Sequence, residues 1–90
     1  MNNEMPKVAI VTGAAKNIGR ATCESLSKLG YNILVHANTD KDGAEETVNL
    51  VKQNDVQSAR IIGDLTKPET SQELIKEASK LGTISALVNN

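Results

Sequence analysis

Residues 10–20 read IVTGAAKNIGR, and the way this stretch folds decides how the rest of the chain is arranged. An apolar run breaks at Thr12, glycines stand at positions 13 and 19, and helical spacing begins at Ile18. A strand that turns sharply into a helix fits all three features. Gly13 lets the chain leave the strand in a tight turn. Gly19, inside the first helical turn, removes a Cβ where backbone or ligand must come close. Asn17 stands where a further turn glycine would be natural, and asparagine is one of the few other residues that accept a positive φ. The stretch therefore predicts a left-handed Asn17 at the mouth of the first helix.

A helix that starts behind such a turn offers unpaired N–H groups and a partial positive charge, which suit a pyrophosphate. A plain strand-to-helix turn with no ligand is the other reading of the same glycines. The phosphate loop of nucleoside triphosphatases does not fit, because the glycine spacing differs and no Gly-Lys-Ser/Thr follows.

Outward from this turn the chain alternates. KVAIVT (7–12) is the apolar run before it, and Ile18, Ala21, Thr22, Ser25, Leu26 and Leu29 repeat at helical spacing after it. Gly30 then marks the helix end. NILVHA (32–37) is a second strand-like run, and Ala44, Thr47, Val48 and Val51 form one face of a second helix. ARIIG (59–63) reads as a third strand. In TKPETSQELIKEASKLG (66–82), Thr66 and Glu69 have capping-box spacing, Pro68 fits the first turn, and Leu74, Ile75, Ala78 and Leu81 form the expected buried stripe before Gly82. ISALVNN (84–90) is a fourth strand-like segment. Strand–helix units in this order predict right-handed crossovers and an α/β fold. The expected architecture is a three-layer, doubly wound parallel sheet of the Rossmann type, partial, with strand order 3-2-1-4.

Composition agrees. Ninety residues allow one domain at most, and a single aromatic, Tyr31, leaves an aliphatic core of the kind that parallel sheets bury. A net charge of −1, with acids and bases interleaved and almost no stacking surface, argues against nucleic acid as a partner. No apolar run reaches the length of a membrane span, and MNNEMPK lacks the pattern of a secretory signal, so a cytoplasmic location is expected. Cys23 is alone, which rules out an internal disulfide; it is expected to pack, and His36 to be structural. Scattered acids with one histidine and one cysteine give no metal-ligand spacing.

TGAAKNIGR resembles the Thr-Gly-x-x-x-Gly-x-Gly turn of the short-chain dehydrogenase/reductase family. Asp64-Leu65 after the third strand and LVNN (87–90) match two further motifs of that family in order, so the resemblance runs over the whole chain. It implies that Gly13, Ala14, Ala15, Lys16, Asn17, Ile18 and Gly19 wrap the pyrophosphate and adenosine ribose of a nicotinamide cofactor. It further implies that Asp64 accepts a hydrogen bond from the adenine amino group beside the Leu65 backbone, that Asn90 sits near the ribose and nicotinamide, and that Thr12 and Asn89 tie the first strand to the fourth. Asn17 departs from the pattern by replacing the middle glycine. The family's serine and Tyr-x-x-x-Lys pair are not found: Tyr31 is followed four residues on by Val35. Residues 1–90 are thus expected to be the N-terminal dinucleotide-binding part of a single Rossmann domain, truncated before the catalytic residues. The parent would be a homo-oligomeric oxidoreductase that moves hydride between the cofactor and a small carbonyl or alcohol substrate. A non-catalytic nucleotide-binding or interaction module ending at Asn90 is the alternative.

Members that use NAD carry an acid near the end of the second strand, where it binds the ribose 2′-hydroxyl. Here that place resembles Ala37, followed by Asn38 and Thr39, while Lys16 matches a position at which NADP-using members often carry a base. NADP is expected over NAD. Asp40 and Asp42 are the acids that could reverse the preference if the strand ends later.

Overall fold

The computed structural model describes residues 5–90. Its elements are β1 (Lys7–Val11), α1 (Asn17–Lys28), β2 (Asn32–Ala37), α2 (Lys41–Lys52), β3 (Ser58–Ile62), α3 (Pro68–Leu81) and β4 (Thr83–Val88). The four strands are parallel and lie in the order β3-β2-β1-β4. This is the doubly wound α/β arrangement that the alternation predicts.

The core divides across the sheet because successive strand residues face opposite ways. Ala9 and Val11 of β1 and Ile33, Val35 and Ala37 of β2 pack with Cys23 of α1 and with Ala44, Val48 and Val51 of α2. Val8, Ile10 and Leu34 pack on the other face with Ile61, Leu74 and Ala78. Helices therefore cover both faces of the central strands, and β2 is buried along its whole length, which is why it reads as one apolar run. Burial pushes the Cys23 thiol up to about 12, so it packs as a small apolar group.

Three details differ from the expectation. In α1 the buried residues are Gly19, Cys23 and Ser27, while Ile18 and Leu29 are exposed. The helix lies close to the sheet, so its fully buried residues are small, while Leu26 packs half-buried against the same core. In α3, Leu74 and Ala78 are buried but Ile75 is 53% exposed, and Thr70 is buried instead. The Thr66–Glu69 capping box does not form. The residue before a proline avoids helical backbone, so Lys67 (φ −96, ψ 127) is extended and becomes the N-cap, with Pro68 in the first turn as expected. Thr66 instead gives its N–H and hydroxyl to Asp64 Oδ1, at 2.9 and 2.7 Å.

β4 pairs with β1 through a one-residue irregularity, since Val8 opposes Ile84 and Ala9 opposes Ala86. It is the barest strand: Ile84 and Leu87 are exposed and, with Leu65, Leu74 and Ile75, line an apolar groove of about 320 Å³ between β4 and α3.

Candidate functional site

At the carboxyl ends of the parallel strands the chain passes from β1 into α1. Gly13 takes φ 59, Lys16 is fully extended at φ −163, and Asn17 takes φ 57. The left-handed Asn17 is the conformation for which asparagine is suited. Gly19 allows the turn to close. A Cβ there would overlap the Gly13 carbonyl oxygen and would lie 2.8 Å from Asn90 Nδ2 and 2.9 Å from Ala14 Cα.

Several side chains hold this turn. Thr12 Oγ1 donates to Asn89 Oδ1 at 3.2 Å and accepts from the Asn90 N–H at 3.1 Å, so β1 and β4 are tied as expected. Asn90 Nδ2 donates to the Gly13 carbonyl at 3.0 Å. Arg20 donates to the carbonyls of Ala15 and Gly43 and to Thr47 Oγ1, and pairs with Glu46 at 3.1 Å. Thr47 Oγ1 donates to the Ala14 carbonyl at 2.8 Å. The turn is thus bolted to α2, while the buried His36 meets the Gly13 N–H through Nδ1 at 3.3 Å. Sequence reasoning placed Arg20 and Thr47 on helices without a role at the turn. Their only signal was polarity, Arg20 directly behind Gly19 and Thr47 within an apolar helical face.

Gly13, Ala15, Lys16, Ala37, Asn38, Thr39 and Asp40 line an open groove of about 280 Å³. Of the residues singled out from the sequence, Gly13, Ala15, Lys16, Asn38 and Thr39 meet here. Ala14 is buried beneath the turn, Gly19 supports it, and Asn17 and Ile18 stand exposed at the start of α1. Asp64 and Leu65 lie on the neighbouring loop after β3, where the Gly63 N–H donates to Ala37 at 3.0 Å, and Leu65 lines the other groove. Asp64 is exposed, and the two Thr66 hydrogen bonds hold its carboxyl below the ordinary carboxylate range.

The two helices that begin at the groove differ. The α2 N-terminus is capped by Asp40, whose Oδ1 accepts from the Gly43 N–H at 2.9 Å, and Asp42 adds a second acid in its first turn. The α1 N-terminus has Lys16 as N-cap, no side-chain cap bond and no acid in its first turn. Asp40 is the one acid lining the groove, and its carboxylate is bound into its own helix. The arrangement offers an anionic group a helix terminus, a lysine and two short polar side chains, with no glycine Cβ in the way. A dinucleotide phosphate fits that chemistry.

Residues 7–90 match the family model described as short chain dehydrogenase. The chain is 39% identical over 85 residues to glucose 1-dehydrogenase 2 of Bacillus subtilis, covering 93% of this chain and 33% of that protein. Among solved structures it superposes on the acetoin dehydrogenase YohF of Salmonella typhimurium with a TM-score of 0.87 at 37% identity, covering 96% of this chain and 36% of that one. A putative dehydrogenase of Burkholderia cenocepacia, solved with bound NADP, superposes with a TM-score of 0.84 at 28% identity, covering 93% and 33%. The chain therefore spans about a third of the length of these relatives.

Proposed function

This chain belongs to the short-chain dehydrogenase family, and we propose that it is the N-terminal, cofactor-binding part of an NADP-dependent oxidoreductase. In this reading the protein moves hydride between the nicotinamide and a carbonyl or alcohol group of a small molecule, in the cytoplasm and as a homo-oligomer. The observation that carries the cofactor choice is the charge at the groove. Lys16 stands at an uncapped helix terminus, and the groove's carboxylate, Asp40, is engaged with the Gly43 N–H.

The roles follow from that chemistry. The turn from Gly13 to Gly19 receives the pyrophosphate, with Ala14, Ala15, Asn17 and Ile18 contributing backbone. Lys16, Asn38 and Thr39 receive the 2′-phosphate of the ribose, Lys16 as a point charge and the other two as hydrogen-bond donors. Asp64 takes the adenine amino group on the carboxylate oxygen that Thr66 does not use, beside Leu65. Asn90 lies on the nicotinamide ribose side. When bound, the cofactor supplies the hydride; these residues bind and orient it. The proton acid and the lysine beside it are assigned to a part of the protein beyond this stretch, since Tyr31 is followed by Val35 at the fourth place. The relatives named above are consistent with this, because the chain matches only about a third of their length.

Fluorescence titration of the protein with NADP and NAD tests the proposal. Lys16→Ala is expected to weaken NADP binding by roughly tenfold or more, the scale of one hydrogen bond to a charged group, and to leave NAD binding almost unchanged. Equal losses for the two nucleotides would remove the 2′-phosphate from Lys16. A protein that binds neither would overturn the reading.

A further inference from the structure

One histidine ring crosses the carboxyl ends of three strands. His36 is 3% exposed and lies near the end of β2, between β1 and β3. On one side its Nδ1 is 3.3 Å from the Gly13 nitrogen. On the other its Nε2 is 2.9 Å from the Gly63 carbonyl oxygen. A backbone N–H can only donate and a carbonyl can only accept. Nδ1 must therefore hold a lone pair and Nε2 the proton, so one neutral tautomer satisfies both neighbours. The same residue adds a backbone tie, its carbonyl accepting from the Ala14 N–H at 2.7 Å.

We propose that His36 is a positioning residue for the nucleotide, which sets the Gly13 turn and fastens it to the Gly63 loop that carries Asp64. The inference rests on the functional reading above. Gly13 has the widest backbone freedom of any residue type, yet it must hold φ 59 directly beneath the groove. The ring accepts its N–H and so limits that freedom. The Gly63 side gives the ring a firm anchor: the Gly63 N–H donates to Ala37 at 3.0 Å, and a Cβ on Gly63 would meet Thr70 Oγ1 at 2.8 Å. An apolar residue would satisfy the burial of β2, as Ile33, Leu34 and Val35 do, but would leave the Gly13 N–H and the Gly63 carbonyl without the ring that joins them. Of the two buried polar side chains of β2, Asn32 and His36, it is His36 that stands where the two loops of the proposed site meet.

Three variants separate this role from plain stability. His36→Asn puts an amide oxygen near the Nδ1 position and can keep the Gly13 bond. His36→Gln puts an amide N–H near the Nε2 position and can keep the Gly63 bond. His36→Leu keeps neither. Asn and Gln each retain one bond, so similar melting temperatures are expected. NADP affinity is expected to fall roughly tenfold in the Gln and Leu variants and by less than about threefold in the Asn variant, the scale of one hydrogen bond. If Leu does not fold, the Asn–Gln pair decides. Nitrogen NMR of the wild type gives a second measure of the tautomer, with the ring proton expected on Nε2 and not on Nδ1. Equal affinities for Asn and Gln, affinity that merely follows melting temperature, or a proton on Nδ1 would overturn the role given to His36. A wild type that binds no NADP would overturn the functional reading itself.

Discussion

Two helices open on the same groove, and their first turns are built by opposite rules. At α2, Asp40 caps the Gly43 N–H and Asp42 follows in the first turn, so the protein itself satisfies the terminus and its dipole. At α1 a lysine occupies the cap position, no side chain bonds the leading N–H groups, and no acid stands in the first turn. A capping residue absent and a cation at the positive end both disfavour the isolated helix. The α1 terminus is held by other means: the Thr12–Asn89 and Asn90–Gly13 bonds to the segment after β4, Arg20 and Thr47 from the helices, and the His36 ring. Local rules are kept at α2 and set aside at α1, and such departures gather where a chain binds something.

The largest expected effect comes from closing the α1 turn by force. Gly19→Val would drive a branched side chain into the Gly13 carbonyl and Asn90, and is expected to cost about 3 kcal/mol through overpacking, read as a lower denaturation midpoint. The α2 counterpart of Gly19 is Gly43, where a Cβ would meet first the Asp40 side chain and then the Ala15 carbonyl oxygen at 2.9 Å, whereas at Gly19 the first obstacle is backbone, so Gly43→Val should cost less. Equal losses at the two positions would erase the contrast. Next in size is Asn17. With φ 57, Asn17→Val is expected to cost about 1–3 kcal/mol in backbone strain, while Asn17→Gly is tolerated, both measured by urea unfolding. A valine variant as stable as wild type would show that the turn relaxes out of its left-handed shape.

How much of this was legible beforehand follows from the range over which each feature acts. The strand order and the left-handed Asn17 depend on period, glycine placement and local backbone preference, all of which stand in the sequence. The inner face of α1 was legible only in part: Leu26 packs against the core as its spacing suggests, but Ile18 and Leu29 are exposed. Close approach to the sheet selected Gly19, Cys23 and Ser27 instead, and close approach is a tertiary fact. The α3 cap stands one residue later than the Thr66–Glu69 spacing predicts, because Pro68 holds Lys67 extended. The ties from Arg20, Thr47 and His36 join residues 23 to 33 positions apart, and no periodicity reports on them. For Asp64 the resemblance implies only an adenine contact; its Thr66 bonds make it a turn acid as well, with one oxygen to spare.

The smallest effect on stability is expected where the two termini are made alike. Lys16 has the extended backbone, φ −163 and ψ 176, that capping residues adopt, so Lys16→Ser supplies a hydroxyl to a leading N–H without moving the chain. It also takes a cation from the positive end of the helix. The gain is expected to be about 0.5 kcal/mol, below a full cap because the terminus is partly held by tertiary bonds. Asp40→Ala is the mirror experiment: it removes a formed cap and should cost about 1 kcal/mol. If α1 is left open to receive phosphate, the two variants separate stability from binding. Lys16→Ser makes a more stable protein that binds NADP less well, since the new hydroxyl competes for the N–H groups and the charge is gone. Asp40→Ala makes a less stable protein with NADP affinity largely kept. Thermal melts and nucleotide titrations on the same samples read both quantities. A Lys16→Ser protein that loses stability, or that keeps its full affinity for NADP, would mean that the open end of α1 is only an unfinished helix terminus.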